Sequence, residues 1–362
     1  MDITPYVDPI LAWLAGLQTA NGAFPMFPLN KAGDKSKVCP YFSEFAGLAL
    51  LLKPEVYGGC VRGYLDWHFR HLNTAEADYN GEDGTIYDYE LTLQPDGSVT
   101  EEILHDSNTG TLSYDSTDSY AGLFLELLWE YGRTTGDTAY ILRHAPEVHR
   151  IYRAMLCTLD NGLTWAKPDY HAKYLMDNCE VYKGLTAAEK LYGLYDASGV
   201  EKELAQNRLE EIPQYKTTIF EAIETILWDE NAQCYAVGAT DVRQRFPEVL
   251  DWDKFYPDAL AQLFPTVMGL LPPEHPRARY LYDTFNAHYS GEDADWVELR
   301  GEKLAPFLNG LIPYTAAYMG DTQRMERFLE TYRVRFIETG HPFPAYNADC
   351  AQVALAAHKL WG

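Results

Sequence analysis

Residues 114–137 read YDSTDSYAGLFLELLWEYGRTTGD, and this stretch gives the plainest indication of the fold. Short polar residues precede an apolar run, and the run ends in a Thr-Thr-Gly-Asp turn. Gly136 can end a helix in the left-handed conformation, and Asp137 can cap the helix that follows. Apolar residues occupy most faces of the first helix, so it should be buried on most sides. The stretch therefore predicts an inner helix that leads by a tight turn into an outer one.

The same alternation extends along the whole chain. Segments rich in small and apolar residues, such as FAGLALLL and DCAQVALAAHKL, alternate with segments that carry charge on one face. This alternation predicts an inner ring of helices inside an outer ring, and the lack of a fixed-period consensus favours closure over an open solenoid. We therefore predict an all-α fold, a single (α/α)6 toroid domain over residues 1–362. Helix period and cap signals place its twelve helical segments at about 5–18, 41–53, 56–72, 118–135, 138–158, 178–197, 200–228, 256–271, 276–289, 301–319, 321–337 and 346–360.

Long connections lead into the predicted inner helices, whereas tight turns follow them. Residues 73–117 contain TIYDYEL and SVTEEIL around a Pro-Asp-Gly turn, which predicts a small β-hairpin near residues 85–104. The segment CYAVGATDV, from Cys234 to Val242, is a second hairpin candidate. Long loops gathered at one end of a helical ring would build the wall of a cleft.

The composition limits the functions that the chain can have. Its 362 residues, 47% of them hydrophobic, can bury a large core without metals or disulfides. A formal net charge of −24 would repel nucleic acid and an anionic membrane surface, so neither is expected as a partner. The sequence has no HExxH, GxxxxGK, GxGxxG or GxSxG motif, and we expect no cofactor and no metal. The first residues lack a signal-peptide pattern and the six cysteines are widely scattered, which predicts a cytoplasmic location.

Carboxylates stand at or near the start of each predicted inner helix. In a toroid these starts converge on one rim, so acids that are distant in sequence become neighbours. A lone acid at a helix start is usually a cap, but paired carboxylates are what glycosidic cleavage requires, one to protonate the leaving oxygen and one to activate water. The six starts read VCPYFSEF at 38–45, YDSTDSYAG at 114–122, MDNCEVYKG at 176–184, FYPDALAQ at 255–262, LRGEKLAP at 299–306 and AYNADCAQ at 345–352.

The segment EVYKGLTAAEKLYGL resembles the six-hairpin glycosidases, above all the glucoamylase-type and trehalase-like enzymes. In the glucoamylase-type enzymes an acidic residue four positions before a glycine opens an inner helix. The match implies that Glu180, four positions before Gly184, is the general acid. Residues 114–137 are similar to the corresponding helix entry of glycogen-debranching and trehalase-like toroidal hydrolases. The resemblance thus implies both the toroid and a hydrolytic activity.

The resemblance leaves the catalytic base open. The chain departs from glucoamylase at Cys179, where a tryptophan would precede the acid, and it lacks a Pro-Glu-Gln base motif in the last inner helix. The candidates are therefore Asp115 or Asp118 first, and Asp258 or Asp349 next.

Aromatic and acidic side chains near the predicted rim are the candidates for substrate binding. Aromatic rings stack on the apolar faces of sugars, and the chain has 27 Tyr, 15 Phe and 8 Trp. The selected residues are Tyr41, Tyr114, Trp165, Asp177, Tyr256, Asp258, Trp296, Tyr346 and Asp349.

We predict a glycoside hydrolase, inverting rather than retaining, that acts on a neutral oligosaccharide or glycoside. Glu180 would be the acid, and Asp115 or Asp118 the base. One alternative is a sugar epimerase or isomerase on the same toroid, with converging histidines that move the proton, and a second is a noncatalytic carbohydrate-binding scaffold. The oligomeric state stays open. The histidines of the first alternative are His105, His171 and His341.

Overall fold

The computed structural model describes residues 1–106, 110–241, 243–289, 296 and 309–362. Helices make up most of these ranges, and short strands occur in the connections. Turns of π-helix extend or replace α-helix at Ile223–Leu227, Phe255–Ala259 and Arg333–Ile337. The α-helices are α1 (Thr4–Leu17), α2 (Pro40–Leu50), α3 (Pro54–Arg70), α4 (Asp118–Thr135), α5 (Thr138–Arg143), α6 (Ala145–Leu156), α7 (Leu175–Ser198), α8 (Lys202–Ala222), α9 (Phe264–Val267), α10 (Pro276–Tyr289), α11 (Leu311–Tyr318), α12 (Thr322–Tyr332) and α13 (Asn347–Trp361).

The inner helices close into a ring. Helix α2 contacts α4, α4 contacts α7, and the series continues through α9, α11 and α13, which packs against α2 again. Helices α1, α3, α6, α8 and α12 pack outside this ring on their inner neighbours. The architecture is therefore an all-α (α/α)6 toroid, and the closed contact of α13 with α2 excludes an open solenoid.

Burial patterns separate the two layers, as the sequence predicts. In the inner helix α13 every residue from Asn347 to Ala354 is buried. In the outer helix α12 only Met325, Phe328, Leu329 and Tyr332 are buried, which is the one-sided stripe of an amphipathic helix. The turn after α4 also forms as expected, since Gly136 has φ of 74° and the Asp137 carboxylate accepts from the Tyr140 amide.

Two glycines allow α4 and α7 to cross at very short range. A Cβ atom on Gly184 would lie 2.4 Å from the Cα of Gly122, and one on Gly122 would lie 2.8 Å from the Glu180 carbonyl oxygen. No side chain fits at this crossing. The contact fixes Glu180 relative to the start of α4, which gives a packing reason for a glycine four residues after the acid.

Some helix predictions need correction. The segment 138–158 is two helices, because Pro146 lies at the start of α6 and begins a new helix after His144. The segment 256–271 is interrupted: a π-helical turn continues through Leu260 and Ala261, and the four residues of α9 follow after a turn. Pro265 lies at the start of α9, and Gly269 adopts φ of 79° beyond it. Of the segment 301–319, residues 301–308 lie outside the described residues, as does the helix start predicted at 299–306.

The predicted hairpin near 85–104 is confirmed, and a third strand joins it. Strands β1 (Lys35–Val38), β2 (Tyr89–Leu93) and β3 (Val99–Ile103) form an antiparallel sheet in that order. The segment from Cys234 contributes to two short hairpins instead of one. Its first half pairs with residues 228–229 and its second half with residues 245–246, and Val242 lies outside the described residues. The short strands are β4 (Leu159–Asp160), β5 (Leu163–Thr164), β6 (Ala172–Tyr174), β7 (Trp228–Asp229), β8 (Cys234–Tyr235), β9 (Gly238–Thr240) and β10 (Arg245–Phe246).

Within the described ranges, no helix has the length and apolar character that a membrane crossing demands.

Candidate active site

The candidate site lies at the end of the ring where α2, α4 and α7 begin, and we call this end of the ring the pit. Glu180 lies in the second turn of α7, and its side chain is 2% exposed. Tyr41 lies at the start of α2, and its hydroxyl donates to Glu180 Oε1 at 2.6 Å. This hydrogen bond joins residues that are 139 positions apart. The ring therefore brings together helix starts that the sequence separates widely, as predicted.

The surroundings of Glu180 favour its protonated form at neutral pH. Burial raises its pKa to about 8, against the lowering effect of the Tyr41 hydrogen bond. Repulsion from the charges of Asp118 and Asp115 contributes to this raised pKa. A carboxyl group that keeps its proton at pH 7 can donate it to a leaving group.

Asp177 lies one turn before Glu180 on the same face of α7. Its side chain is partly accessible, as expected of a group in a pit. Burial raises the pKa of Asp177 well above its ordinary value, and repulsion from Asp118, Glu180 and Asp115 adds to this. Four carboxyl groups therefore share one electrostatic environment.

Asp118 is fully buried in the first turn of α4, where three donors reach it. The Ser116 hydroxyl donates at 2.9 Å, the Ser119 amide at 2.8 Å and the Thr164 hydroxyl at 2.5 Å. Burial raises the pKa of Asp118 to about 6, against the lowering effect of these bonds. This arrangement anchors the start of α4 to the loop before α7, and it leaves the carboxylate little access to a water molecule.

Asp115 differs from Asp118 in its access to solvent. Its side chain is exposed, three residues before α4 begins. Its charge acts on Glu180, Asp177 and Tyr256, so it lies on the same side of the ring as the pit. Of the two preferred base candidates, Asp115 is the one that a water molecule in the pit could reach.

Tyrosines surround the acids. Tyr256 is 57% exposed. Partial burial is the main cause of the raised pKa of its hydroxyl, and the charges of Asp115, Asp177 and Glu180 also raise it. Tyr346 precedes α13 and packs edge-on against Phe42, with ring centroids 5.1 Å apart. Tyr256 therefore lies near the three acids, and Tyr346 lies near Tyr256 and Tyr41.

The two remaining base candidates hold the protein scaffold together. Asp258 pairs with Lys254 Nζ at 2.8 Å and accepts from the Asp251 amide at 3.2 Å. Asp349 accepts from the Gly310 amide at 2.6 Å and so ties α13 to the start of α11. Each side chain is 1% exposed, which suits a structural carboxylate better than a base.

Three of the aromatic residues predicted to bind substrate are buried away from the pit or partly covered by another side chain. Tyr114 is fully buried against the Tyr79 and Tyr87 rings, and its hydroxyl donates to Asp78 at 3.3 Å. Trp296 is buried against Phe328. Trp165 is partly accessible, but His171 stacks on its ring at 3.8 Å and occupies one face. Tyr114 and Trp296 therefore do not line the pit.

The three histidines do not converge. His105 Nδ1 lies 3.0 Å from the Gly110 carbonyl beside the β-hairpin, and His171 covers Trp165. His341 is buried against Trp13, and burial lowers its pKa to about 4. Because each ring has different neighbours, the arrangement needed for a histidine-based epimerase is not found among the described residues.

Sequence reasoning missed a buried pair beneath the pit. Glu44 is three residues after Tyr41 on α2 and completely buried, and His68 Nδ1 is 3.7 Å from its Oε1. Among the described residues no hydrogen bond reaches either Glu44 carboxyl oxygen. Burial and then the charge of Glu180 raise the pKa of Glu44 well above its ordinary value, while burial lowers the pKa of His68. The three-residue spacing within VCPYFSEF could have shown that Tyr41 and Glu44 share a helix face.

Comparisons with known proteins identify the architecture. The chain is similar to a wild-type glycosidase at a TM-score of 0.63 and 13% identity, over 99% of this chain and 96% of that one. It is similar to an α-amylase from Clostridium perfringens at a TM-score of 0.60 and 11% identity, over 98% and 97% of the two chains. It is also similar to a GH63 mannosylglycerate hydrolase from Thermus thermophilus in complex with glucose, at a TM-score of 0.59 and 13% identity, over 97% and 99%.

No family model matches the sequence, and no curated protein is similar to it in sequence. Structural likeness at 11–13% identity shows that the fold is shared. The chemistry of this chain must therefore be argued from its own side chains.

Proposed function

We propose that the chain is a glycoside hydrolase, with Glu180 as general acid and Asp115 as general base. The observation that carries the proposal is that the Glu180 carboxyl group is buried, accepts a hydrogen bond from Tyr41 and lies among other carboxyl groups, where burial raises its pKa. Most glycosidases use two carboxyl groups of opposite protonation state. The names of the structural neighbours support the proposal, since those proteins are a glycosidase, an α-amylase and a mannosylglycerate hydrolase.

The chemistry follows from the hydrogen bond to Glu180. Because Oε1 accepts from Tyr41, the acidic proton is expected on Oε2. Glu180 would transfer this proton to the glycosidic oxygen as the bond from that oxygen to the anomeric carbon breaks. Asp115 would take a proton from water as the water oxygen bonds to the anomeric carbon. This sequence inverts the configuration, and exchange with solvent restores both groups.

The other acids would support these two. Asp118 would be a positioning residue, because its three hydrogen bonds hold the start of α4 next to α7. Asp177 would bind a sugar hydroxyl, and negative charge in the pit would stabilise the positive charge that develops on the sugar ring. Tyr41, Tyr256 and Tyr346 offer rings and hydroxyl groups for a neutral sugar. We propose that the whole chain acts as one catalytic domain.

A panel of neutral aryl glycosides and oligosaccharides tests the proposal. Sugar release should occur in buffer without phosphate and should not require added phosphate, which separates a hydrolase from a phosphorylase. Proton NMR of the first product should show the inverted anomer. Absence of release from every member of the panel by correctly folded protein would count against hydrolysis.

Two matched variants test the choice of base. Asp115→Asn should lower kcat by about 10²-fold to 10⁴-fold, as removal of a general base does. Asp118→Asn should reduce the melting temperature more and kcat less, because the buried carboxylate accepts three hydrogen bonds. The reverse pattern would move the base to Asp118.

A further inference from the structure

Five aromatic rings form a continuous path from the pit to the surface. Ring centroids are 5.5 Å apart for Tyr41 and Phe42, and 5.1 Å for Phe42 and Tyr346. The path continues from Tyr346 to Phe27 at 6.4 Å and from Phe27 to Phe343 at 6.0 Å. We call these five residues the aromatic strip. One end is the tyrosine that is hydrogen-bonded to Glu180, and the other end is a surface phenylalanine.

The outer part of the strip lies on the rim of the pit. Phe27 is in the connection from α1 to α2, and Phe343 is in the connection from the π-helical turn after α12 to α13. Both connections lead into the starts of inner helices, and those starts surround the pit. The Asn347 amide donates to the Met26 carbonyl at 3.2 Å, which joins the two connections beside the rings. The rings are therefore held on a hydrogen-bonded platform.

The exposure of the Phe343 side chain suggests a surface that a ligand covers. Its side chain is 67% exposed, and Phe27 beside it is partly exposed. A single exposed apolar residue on a protein surface is ordinary, whereas a row of rings that continues into a polar pit is typical of a ligand groove. Phenylalanine has no polar edge, so its contribution must be contact with an apolar surface, such as one face of a sugar ring.

We propose that the aromatic strip binds sugar units beyond the scissile bond, so that the substrate is a neutral oligosaccharide and not a small glycoside. This inference rests on the proposed function, since it places the bond to be cleaved at Glu180. The net charge of −24 and the acids in the pit disfavour an anionic chain along the same path. The continuity of the ring contacts with Tyr41 favours a sugar chain over a second copy of the protein as the occupant.

The test compares short and long substrates. Disaccharides and hexasaccharides of the malto, manno and xylo series are assayed with wild type, Phe343→Ala and Phe27→Ala. Each substitution should lower the ratio of kcat/KM for the hexasaccharide to that for the disaccharide by about fivefold, as loss of one stacking contact would. Tyr280→Ala is the matched control. Tyr280 is 45% exposed on α10 and is not part of the aromatic strip, so this substitution should leave the ratio unchanged.

The outcomes separate this inference from the proposed function. Hydrolysis with an unchanged ratio in Phe343→Ala and Phe27→Ala would overturn the strip and leave the hydrolase intact. If no substrate is hydrolysed, calorimetric titration with the hexasaccharides decides. If the two variants bind the hexasaccharides more weakly than wild type, the aromatic strip is supported. If the variants bind as well as wild type, or if wild type does not bind, the inference is overturned. Light scattering that shows a wild-type dimer converted to monomer by Phe343→Ala, with an unchanged ratio, would identify a self-association surface instead.

Discussion

Charge is balanced differently at the rim of the α4 and α7 pair and deeper along it. We call the part of the pair from Glu126 and Lys183 onward the far end. At the rim, Asp118, Asp177 and Glu180 lie together, and among the described residues no ion pair includes Glu180 or Asp177. Two turns further along α4, Glu126 pairs with Lys183 at 2.9 Å, and their side chains are 18% and 19% exposed. Burial alone would lower the pKa of Lys183, but Glu126 outweighs burial and the pKa lies above its ordinary value.

Lysines cover aromatic rings at the far end as well. Lys359 Nζ lies 3.8 Å from the centroid of Tyr318, and Lys190 Nζ lies 5.6 Å from that of Trp129. Charges there are neutralised or in contact with rings, as a stable surface requires. At the rim, burial and then repulsion between carboxyl groups raise the pKa values of Glu180 and Asp177. Such unpaired acids in a pit are typical of catalytic sites, since stability alone would favour pairing them.

The largest expected difference between the two ends is in activity. Glu180→Gln should lower kcat by about 10²-fold to 10⁴-fold, because the amide cannot donate a proton to the leaving oxygen. Glu126→Gln makes the same chemical change two turns further along α4. It should leave kcat within about threefold, because Glu126 is not a reacting group and its charge is a minor contribution to the raised pKa of Glu180. Initial rates on the best substrate of the panel, with circular dichroism as a check of folding, measure this. Equal losses in the two variants would remove the functional distinction.

Substitutions at the rim and at the far end should change the melting temperature at pH 8 in opposite directions. The pKa of Glu180 in the folded protein is about 8, above the ordinary 4.5, so the folded state binds the extra proton between these values. The free energy of unfolding therefore falls as pH rises through this window, by about 1.4 kcal/mol for each pKa unit of the shift. Glu180→Gln removes this effect and should raise the melting temperature at pH 8, with little gain at pH 4.5.

Glu126→Gln should instead lower the melting temperature at pH 8. It leaves Lys183 partly buried without its carboxylate, at a cost of about 1 to 2 kcal/mol. Differential scanning calorimetry of both variants at the two pH values measures the contrast. A lower melting temperature for Glu180→Gln at pH 8 would show that its carboxyl group is not destabilised by burial.

The crossing between the two ends can be disturbed by one methyl group. Gly184→Ala should cost about 1 to 3 kcal/mol, because its Cβ would overlap the backbone of Gly122 and separate the helices. Gly193→Ala, on the same helix with no neighbouring atom within 4 Å, should be neutral or stabilising, since alanine favours helix. Urea denaturation gives both values. If Gly184→Ala were as stable as Gly193→Ala, the tight crossing would not hold the pit in place.

The smallest effect should be a shift in the alkaline limb of the pH profile. Activity requires protonated Glu180, so kcat/KM should fall as pH rises through about 8. The Tyr41 hydroxyl lowers the pKa of Glu180 by its hydrogen bond, so Tyr41→Phe should move this limb to higher pH, by about one unit or less. A pH profile from 5 to 10 measures the shift. A limb that moves to lower pH would contradict the hydrogen-bond argument.

Local signals predicted the ring better than the site. Helix α4 begins and ends where its polar entry and Gly136 predict, and α10 matches its predicted span, because helix ends depend on nearby residues. The sequence predicted that the starts of α2 and α7 converge, but not the hydrogen bond from Tyr41 to Glu180. The burial of Tyr114 could not be predicted, since its hydroxyl is satisfied by Asp78 from a distant part of the connection. Asp115 and Asp118 were indistinguishable in sequence, because only the fold decides which of two neighbouring acids is enclosed.

Ring closure also determines the stage of folding at which the protein can bind a sugar. The Asn347 side chain donates to the Phe24 carbonyl across 323 residues, next to the place where α13 meets α2. Joining such distant segments costs more chain entropy than forming local hairpins, so this junction should form late. Tyr41 and Tyr346 lie on its two sides. During refolding, the protein would therefore regain its helical circular dichroism first, and it would bind a sugar only after the ring of inner helices has closed.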